Sequence, residues 1–300
     1  MIESHDTLVI GAGHNGLIAA AYLAQAGRSV CVVERDTIPG GAVSTVERFP
    51  GYAVDRGSSA HLMIRHTPIL DELDLSRFGL RYADCDPWAF APAEGDDEEP
   101  IVFHRDLAAT CASIEASCGG ADAVAYAQFV AQWAPRARAT MAAFRQEPTP
   151  TRFLTSFASS GWHTRSARRS IIGRRIGALS SMSQDMMSPG DALLDRWFDS
   201  ERLKAALAWF GAQSGPPTDL PGTAPMVGFA ALMHDIPPGR AIGGSGSLTS
   251  ALTARLAADG GQLVTGAPVV ALRQNRDAWE VVDAAGQVRR ARHIVAACHI

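Results

Sequence analysis

TLVIGAGHNGLIAAAYLAQAGRSVCVVER, residues 7–35, sets a short apolar run before three glycines, a helix-like pattern after them, and a second apolar run that ends on Glu34. The wholly apolar run at 7–10 reads as a central strand of a covered parallel sheet. From Asn15 to Gln25 small and apolar residues favour a helix, and Gly27 is placed to stop it. SVCVVE then reads as a second buried strand, which completes a β-α-β unit.

The spacing of the glycines carries a physical demand. Gly11 permits a tight turn, Gly13 lets backbone approach a pyrophosphate, and Gly16 lets the helix pack on the strand. The free N–H groups and positive end of that helix suit a phosphate. Glu34 stands 18 residues after Gly16, where a carboxylate can accept hydrogen bonds from ribose hydroxyls. The acid disfavours a 2′-phosphate and so argues against NADP. NAD and FAD both keep a free ribose in their ADP half, and the loop alone does not choose between them. ERDTIPGGAVST, residues 34–45, bears on the choice. Where a simple NAD domain would enter another crossover helix, a Pro-Gly-Gly turn brings bare backbone toward the far end of a longer dinucleotide.

The totals exclude several classes. Three hundred residues predict roughly two domains at about 150 residues each. A net charge of -4 gives no case for a nucleic-acid binder. Five cysteines, an odd number with no C-x-x-C pair, predict reduced thiols and neither a disulfide framework nor a zinc site. The polar MIESHD start predicts no secretory signal, and no uncharged run reaches the ~18 residues of a membrane span. A cytoplasmic protein without a metal is the expectation.

Further along, strand-like pieces around Trp88–Pro92 and Ile101–His104 flank the acidic EGDDEE, read as a solvated hairpin tip. A helix is expected from Ala121 to Arg145, kinked or split at Pro135. Asp199 or Ser200 caps another, with Leu203, Ala206, Leu207 and Phe210 on one face. A short helix follows the GGSG turn at 243–246. Strands QLVT, PVVALR, AWEVVDA, VRRAR and HIVAA close the chain.

VIGAGHNGLIAAAYLAQAGRSVCVVERDTIPGGAVSTVERFPGYAVDRGSSAH resembles the N-terminus of the phytoene desaturase-like flavoproteins, relatives of carotenoid desaturases, retinol saturase and the flavin amine oxidases. The resemblance continues through LLDRWFDSERLKAAL, PGTAPMVGFAALMHD and IGGSGSLTSALTARLAADGGQLVTGAPVVAL. It implies an α/β, Rossmann-like FAD-binding domain, a parallel sheet with a β-meander, made of 1–75 and 240–300. A largely helical cap or substrate domain, 76–239, would be inserted in it. It also implies FAD as cofactor. Gly11, Gly13 and Gly16 would then hold the pyrophosphate and Glu34 the adenosine ribose. Gly40 and Gly41 would lie toward the flavin, and Val269 would meet the adenine with its backbone. Asn15, Arg35 and Ala42 complete the implied cofactor-binding set. The chain departs from the pattern twice: many relatives carry Arg where Ala42 stands, and they run on for a long segment beyond Ile300. The C-terminal part of the family fold is therefore expected to be missing, with a second chain or further segment completing the flavin site.

The implied reaction is dehydrogenation of a C–C bond in an apolar small molecule, with hydride passing to flavin N5. A flavin amine oxidase is one alternative, and a non-catalytic fragment or half of a split flavoprotein is the other. No catalytic residue is assigned. His61 is a candidate to face substrate, although a histidine beside a glycine-rich loop more often binds backbone. His14 reads as a phosphate-side neighbour, Asp55 as a loop brace, Cys31 as core, and Cys298 as a reachable thiol without a redox partner. The basic amphipathic RSARRSIIGRRIGALSSM, with Arg165, Arg168, Arg169, Arg174 and Arg175, reads as a helix packed on the protein. A peripheral membrane contact is its alternative. Gly243, Gly244 and Gly246 suggest a hinge or flavin-side contact, not a phosphate site of their own.

Overall fold

The computed structural model describes residues 3–93, 95, 98–144, 147, 149, 151, 184–275 and 278–298. The basic stretch around Arg165–Arg175 lies outside the described residues. The chain divides into two units, Met1–Asp84 with Pro238–Ile300, and Cys85–Pro237.

In the first unit β1 (Glu3–Ile10), α1 (His14–Gln25) and β2 (Val30–Val33) form the β-α-β element. β1 begins earlier than the apolar run because its polar start pairs in parallel with β12 (Val288–Ala296), from Glu3↔Arg289 to Ile10↔Ala296. β12 is therefore one strand where the sequence pattern gives two pieces; β1 and β11 (Ala278–Asp283) support it from both sides. All four residues of β2 are buried. Burial pushes the Cys31 thiol up to about 11, in keeping with a core residue. α1 ends in a Schellman arrangement: Arg28 N–H reaches Leu23 O at 3.0 Å and Gly27 N–H reaches Ala24 O at 2.8 Å, with Gly27 at φ +76°.

The six-stranded sheet runs β10-β11-β12-β1-β2-β9, with β9 at Gln262–Val264 and β10 at Val269–Asn275. β12, β1, β2 and β9 are parallel, and β10-β11-β12 is an antiparallel meander. The register shifts between Val269 and Ala271, a bulge that leaves Val270 without a partner on β11. α1 and α8 (Gly246–Ala258) share one core with the sheet, where Val9, Leu17, Val30, Val32, Leu248 and Leu252 are buried. Leu8, Cys31 and Val33 form a smaller cluster with Val281 and Ala291, the alternation expected of a sheet with two covered faces. Two short pairings and a one-turn helix, α2 (Ile69–Glu72), complete the unit. The pairings are β3 (Thr45–Phe49) with β4 (Tyr52–Asp55), and β5 (Tyr82–Asp84) with β8 (Gly239–Ala241). The β5·β8 pairing keeps residues up to Asp84 with this unit.

The second unit packs α3 (Leu107–Cys118), α4 (Gly120–Phe144), α5 (Gly190–Trp197), α6 (Glu201–Ala212) and α7 (Ala224–Gly228) with the hairpin β6 (Ala89–Ala91) and β7 (Ile101–Phe103). Its core holds Tyr126, Phe129, Trp133, Leu193, Leu203 and Leu207. Pro135 does not split α4, which stays continuous across it. The carbonyl left without a donor belongs to Ala131, an exposed residue that water can reach. Ser200, not Asp199, caps α6, its hydroxyl accepting from Leu203 N–H at 3.3 Å. The buried Asp122 carboxylate accepts from Asp199 and Ser200 N–H at 2.9 Å each. Among the described residues no helix is long and apolar enough to cross a membrane.

Candidate functional site

At the carboxyl ends of β1, β2 and β12 lies a cleft of about 350 Å³. Gly11, Gly13, Glu34, Arg35, Gly41 and Val269 line it, with Asp36, Ala267, Pro268, Ala297 and Cys298. Gly11 sits at φ +103°, and a Cβ there would stand 2.7 Å from the Ala297 carbonyl oxygen. Gly16 does not face the cleft: its missing Cβ would overlap the Gly11 carbonyl, so it lets α1 close on β1. Gly13 is the opposite case. Nothing lies within 4 Å of where its Cβ would be, and no side chain caps the helix it begins. Nor does an acid stand in the first turn of α1. Bare backbone at a helix start with open space before it is the cradle an anionic group needs.

Glu34 is 8% exposed and already holds the loop. Its Oε2 accepts from Ala12 N–H at 2.6 Å and its Oε1 from Asp36 N–H at 2.9 Å. Each carboxylate oxygen has a second acceptor site, so capacity remains for ribose hydroxyls. The Pro-Gly-Gly turn folds back on the first glycine loop. Gly40 N–H donates to Ala12 O at 2.7 Å, Gly13 and Gly40 form a parallel bridge, and Gly41 sits at φ +58° beside Gly13. Gly40 itself is buried behind the cleft, against Val43 and Thr249. Asn15, in the first turn of α1, and Ala42 are exposed and do not line it. As lining residues Asp36, Pro268, Ala297 and Cys298 escaped the sequence reading, which took the last only as a reachable thiol. For the last two a signal existed: a parallel partner of β1 must bring its end beside Gly11.

The other candidates settle differently. His61 is buried, with Nδ1 2.6 Å from Tyr82 Oη and Nε2 2.9 Å from Ser245 Oγ, and its backbone exchanges two hydrogen bonds with Gly239. Burial holds its imidazole below the usual histidine range, the nearby His14 adds to the lowering, and Asp55 opposes it. Both ring nitrogens are engaged, which leaves no free edge for substrate. Burial likewise lowers His14. Asp55 Oδ1 accepts from Thr45 Oγ1 at 2.7 Å and from Ser245 N–H at 2.8 Å, so it does brace the loop. In the turn at Gly243–Gly246, Asp55 takes Ser245 N–H and the Thr45 hydroxyl takes Gly246 N–H. Cys298 is exposed at the cleft.

A family model for flavin-containing amine oxidoreductases matches residues 16–300. The chain belongs to that family. Its cofactor is FAD, and the cleft's open glycine backbone and buried acid fit the ADP half of that molecule. A rat protein named pyridine nucleotide-disulfide oxidoreductase domain-containing protein 2 is 30% identical over 293 residues, 91% of this chain and 49% of its own length. Phytoene dehydrogenase of Streptomyces griseus is 37% identical over 123 residues, covering 40% of this chain and 23% of its own. A limonene dehydrogenase component of Castellaniella defragrans is 37% identical over 113 residues, 38% and 20% of the two chains. These similarities are consistent with a phytoene desaturase-like oxidoreductase within that family. The chain spans about half the length of the first curated relatives it matches. A putrescine oxidase variant shares the fold, with a TM-score of 0.57, 16% identity, and coverage of 98% of this chain and 58% of that one.

Proposed function

We propose that the first unit binds FAD in this cleft and that the protein dehydrogenates a C–C bond of an apolar small molecule. The observation that supports the cofactor reading is one cleft lined by the first glycine turn, Glu34, Gly41 and Val269 together. In this reading Gly11 and Gly13 and the α1 start hold the pyrophosphate, with Gly16 seating the helix behind them. Glu34 accepts from the adenosine ribose while it pins Ala12, and the bulged start of β10 offers Val269 backbone to the adenine. Gly40, Gly41 and Ala42 lead toward the flavin, and Arg35 and Asn15 flank the rim. FAD when bound supplies a hydride acceptor at N5. The chain's own part is to orient substrate over it and exclude water, and no side chain is assigned as acid or base.

The choice of C–C over C–N oxidation leans on the names phytoene dehydrogenase and limonene dehydrogenase among the relatives. Amine oxidation is the second reading, favoured by the description of the family model. Purified protein supplied with FAD should show oxidised-flavin absorption. Under anaerobic conditions phytoene or limonene should bleach it and putrescine should not. Bleaching by putrescine, with peroxide released in air, favours the second reading. A protein that takes up no FAD overturns both, unless a copurifying second chain restores uptake.

A further inference from the structure

We propose that His61 is a positioning residue for the cofactor turns, acting through Ser245 and not on substrate. The proposal rests on the FAD reading above. His61 is 6% exposed and joins three segments that are distant in sequence: its own loop, Tyr82 on β5, and Ser245 at the start of α8. Ser245 is 1% exposed, and His61 Nε2 is the partner its hydroxyl finds there.

From Ser245 the contacts lead toward the cleft. Ser245 N–H donates to Asp55 Oδ1, which also accepts from Thr45 Oγ1. Thr45 Oγ1 in turn accepts from Gly246 N–H at 2.8 Å. A Cβ on Gly246 would stand 2.8 Å from Thr45 N, so helix start and hairpin meet backbone to backbone. Thr45 follows Ser44, whose hydroxyl donates to Gly41 O at 2.8 Å. One turn into α8, Thr249 Oγ1 donates to Val43 O, and Val43 N–H donates to Gly40 O at 2.9 Å. Gly40 and Gly41 are the residues that close on Gly13. The α8 turn is therefore clamped to the Pro-Gly-Gly turn on one side and to His61 on the other. Removing the imidazole strands a buried hydroxyl at the point where the clamp starts.

The test compares FAD dissociation constants, from quenching of flavin fluorescence, with melting of the apoprotein. His61→Ala and Ser245→Ala should each weaken FAD about tenfold, the scale of one lost hydrogen bond. The double variant should be no weaker than either single one, because the two residues share one contact. His61→Gln should recover affinity, since its amide nitrogen reaches the Nε2 position and donates to Ser245. His61→Asn, which mimics Nδ1 and reaches Tyr82 only, should not. Tyr82→Phe should melt lower yet bind FAD as the wild type does, and with Ser245→Ala it carries the test if His61→Ala fails to fold. Lower melting with unchanged FAD affinity in His61→Ala and Ser245→Ala, additive losses, or no recovery by His61→Gln would each overturn the proposal. A wild type that takes up no FAD, alone or with added protein, overturns the cofactor reading and this proposal with it.

Discussion

Helices α1 and α8 both begin on glycine-rich turns in the same unit, yet only at α8 do the chain's own side chains take the N–H groups at the helix start. Neither N-cap residue caps its own helix and neither first turn holds an acid, and at α1 nothing lies within 4 Å of where a Cβ on Gly13 would be. At α8 the Asp55 carboxylate takes Ser245 N–H and the Thr45 hydroxyl takes Gly246 N–H. An Asp at a helix N-terminus supplies the anion that the dipole and free N–H groups favour. The glycines of α8 thus permit close approach of the chain's own hairpin, whereas Gly13 of α1 leaves room for a ligand. Glycine spacing alone does not make an anion site; the helix-start N–H groups must also be left free by the chain's own acceptors.

The sharpest way to break this comparison is within α1 itself. Gly16→Ala places a Cβ into the Gly11 carbonyl and 3.0 Å from the Ala297 side chain. It should destabilise the unit by about 1–3 kcal/mol through overpacking and abolish FAD uptake. Gly13→Ala adds a methyl to empty space at φ -65°, an ordinary backbone conformation. Its apoprotein should melt with the wild type while FAD affinity falls more than about tenfold, as a lost close approach of backbone to phosphate predicts. Equal FAD affinity in Gly13→Ala and wild type would move the phosphate away from α1.

What the sequence made legible follows from distance along the chain. The β-α-β unit, the Schellman stop at Gly27 and the acid at Glu34 rest on spacings of a few to 18 residues, and each is visible in a local pattern. That Glu34 already holds Ala12 and Asp36 N–H was not visible, because it depends on how the loop closes. Asp55 reaches Ser245 across 190 positions, and no local pattern announces such a pair. The same holds for Ala297 over Gly11, which needs the β1·β12 register. Asn15 and Ala42 stand next to the motif in sequence, yet both are exposed and neither lines the cleft. Pro135 shows that a helix breaker yields where the carbonyl it orphans is exposed.

A second test addresses α8. Asp55→Ala removes the acceptor of both Ser245 N–H and Thr45 Oγ1 and leaves Ser245 N–H without its carboxylate. It should cost about 1–3 kcal/mol, seen as a lower midpoint in thermal unfolding. Asp55→Asn keeps one oxygen acceptor and should lose less. If Asp55→Ala melts with the wild type, water serves the α8 start as well as the carboxylate does, and the two helices differ less than the geometry implies.

The smallest expected effect is on pH dependence, and it reads the charge at the open helix start. Burial lowers His14, at the first position of α1, and its proximity lowers His61 further. A histidine whose pKa is lowered by folding binds its proton more readily when unfolded. Stability from this source is therefore complete above the unfolded value of about 6.5 and is lost as pH falls from there toward the folded value. The positive end of α1 opposes a charged His14 in the same direction. Thermal midpoints of the apoprotein should hold steady from about pH 8 to 7 and drop by a few degrees toward about pH 5.5. His234, in the other unit, is also lowered by burial and titrates with the same sign, so the informative quantity is the difference between wild type and His14→Asn. That variant should have the shallower acid slope, both because His14 is gone and because His61 loses a neighbour that depresses it. Superimposable slopes would mean that His14 charges as easily in the folded protein as in the unfolded chain, and that the α1 start is wetter than its neighbours make it.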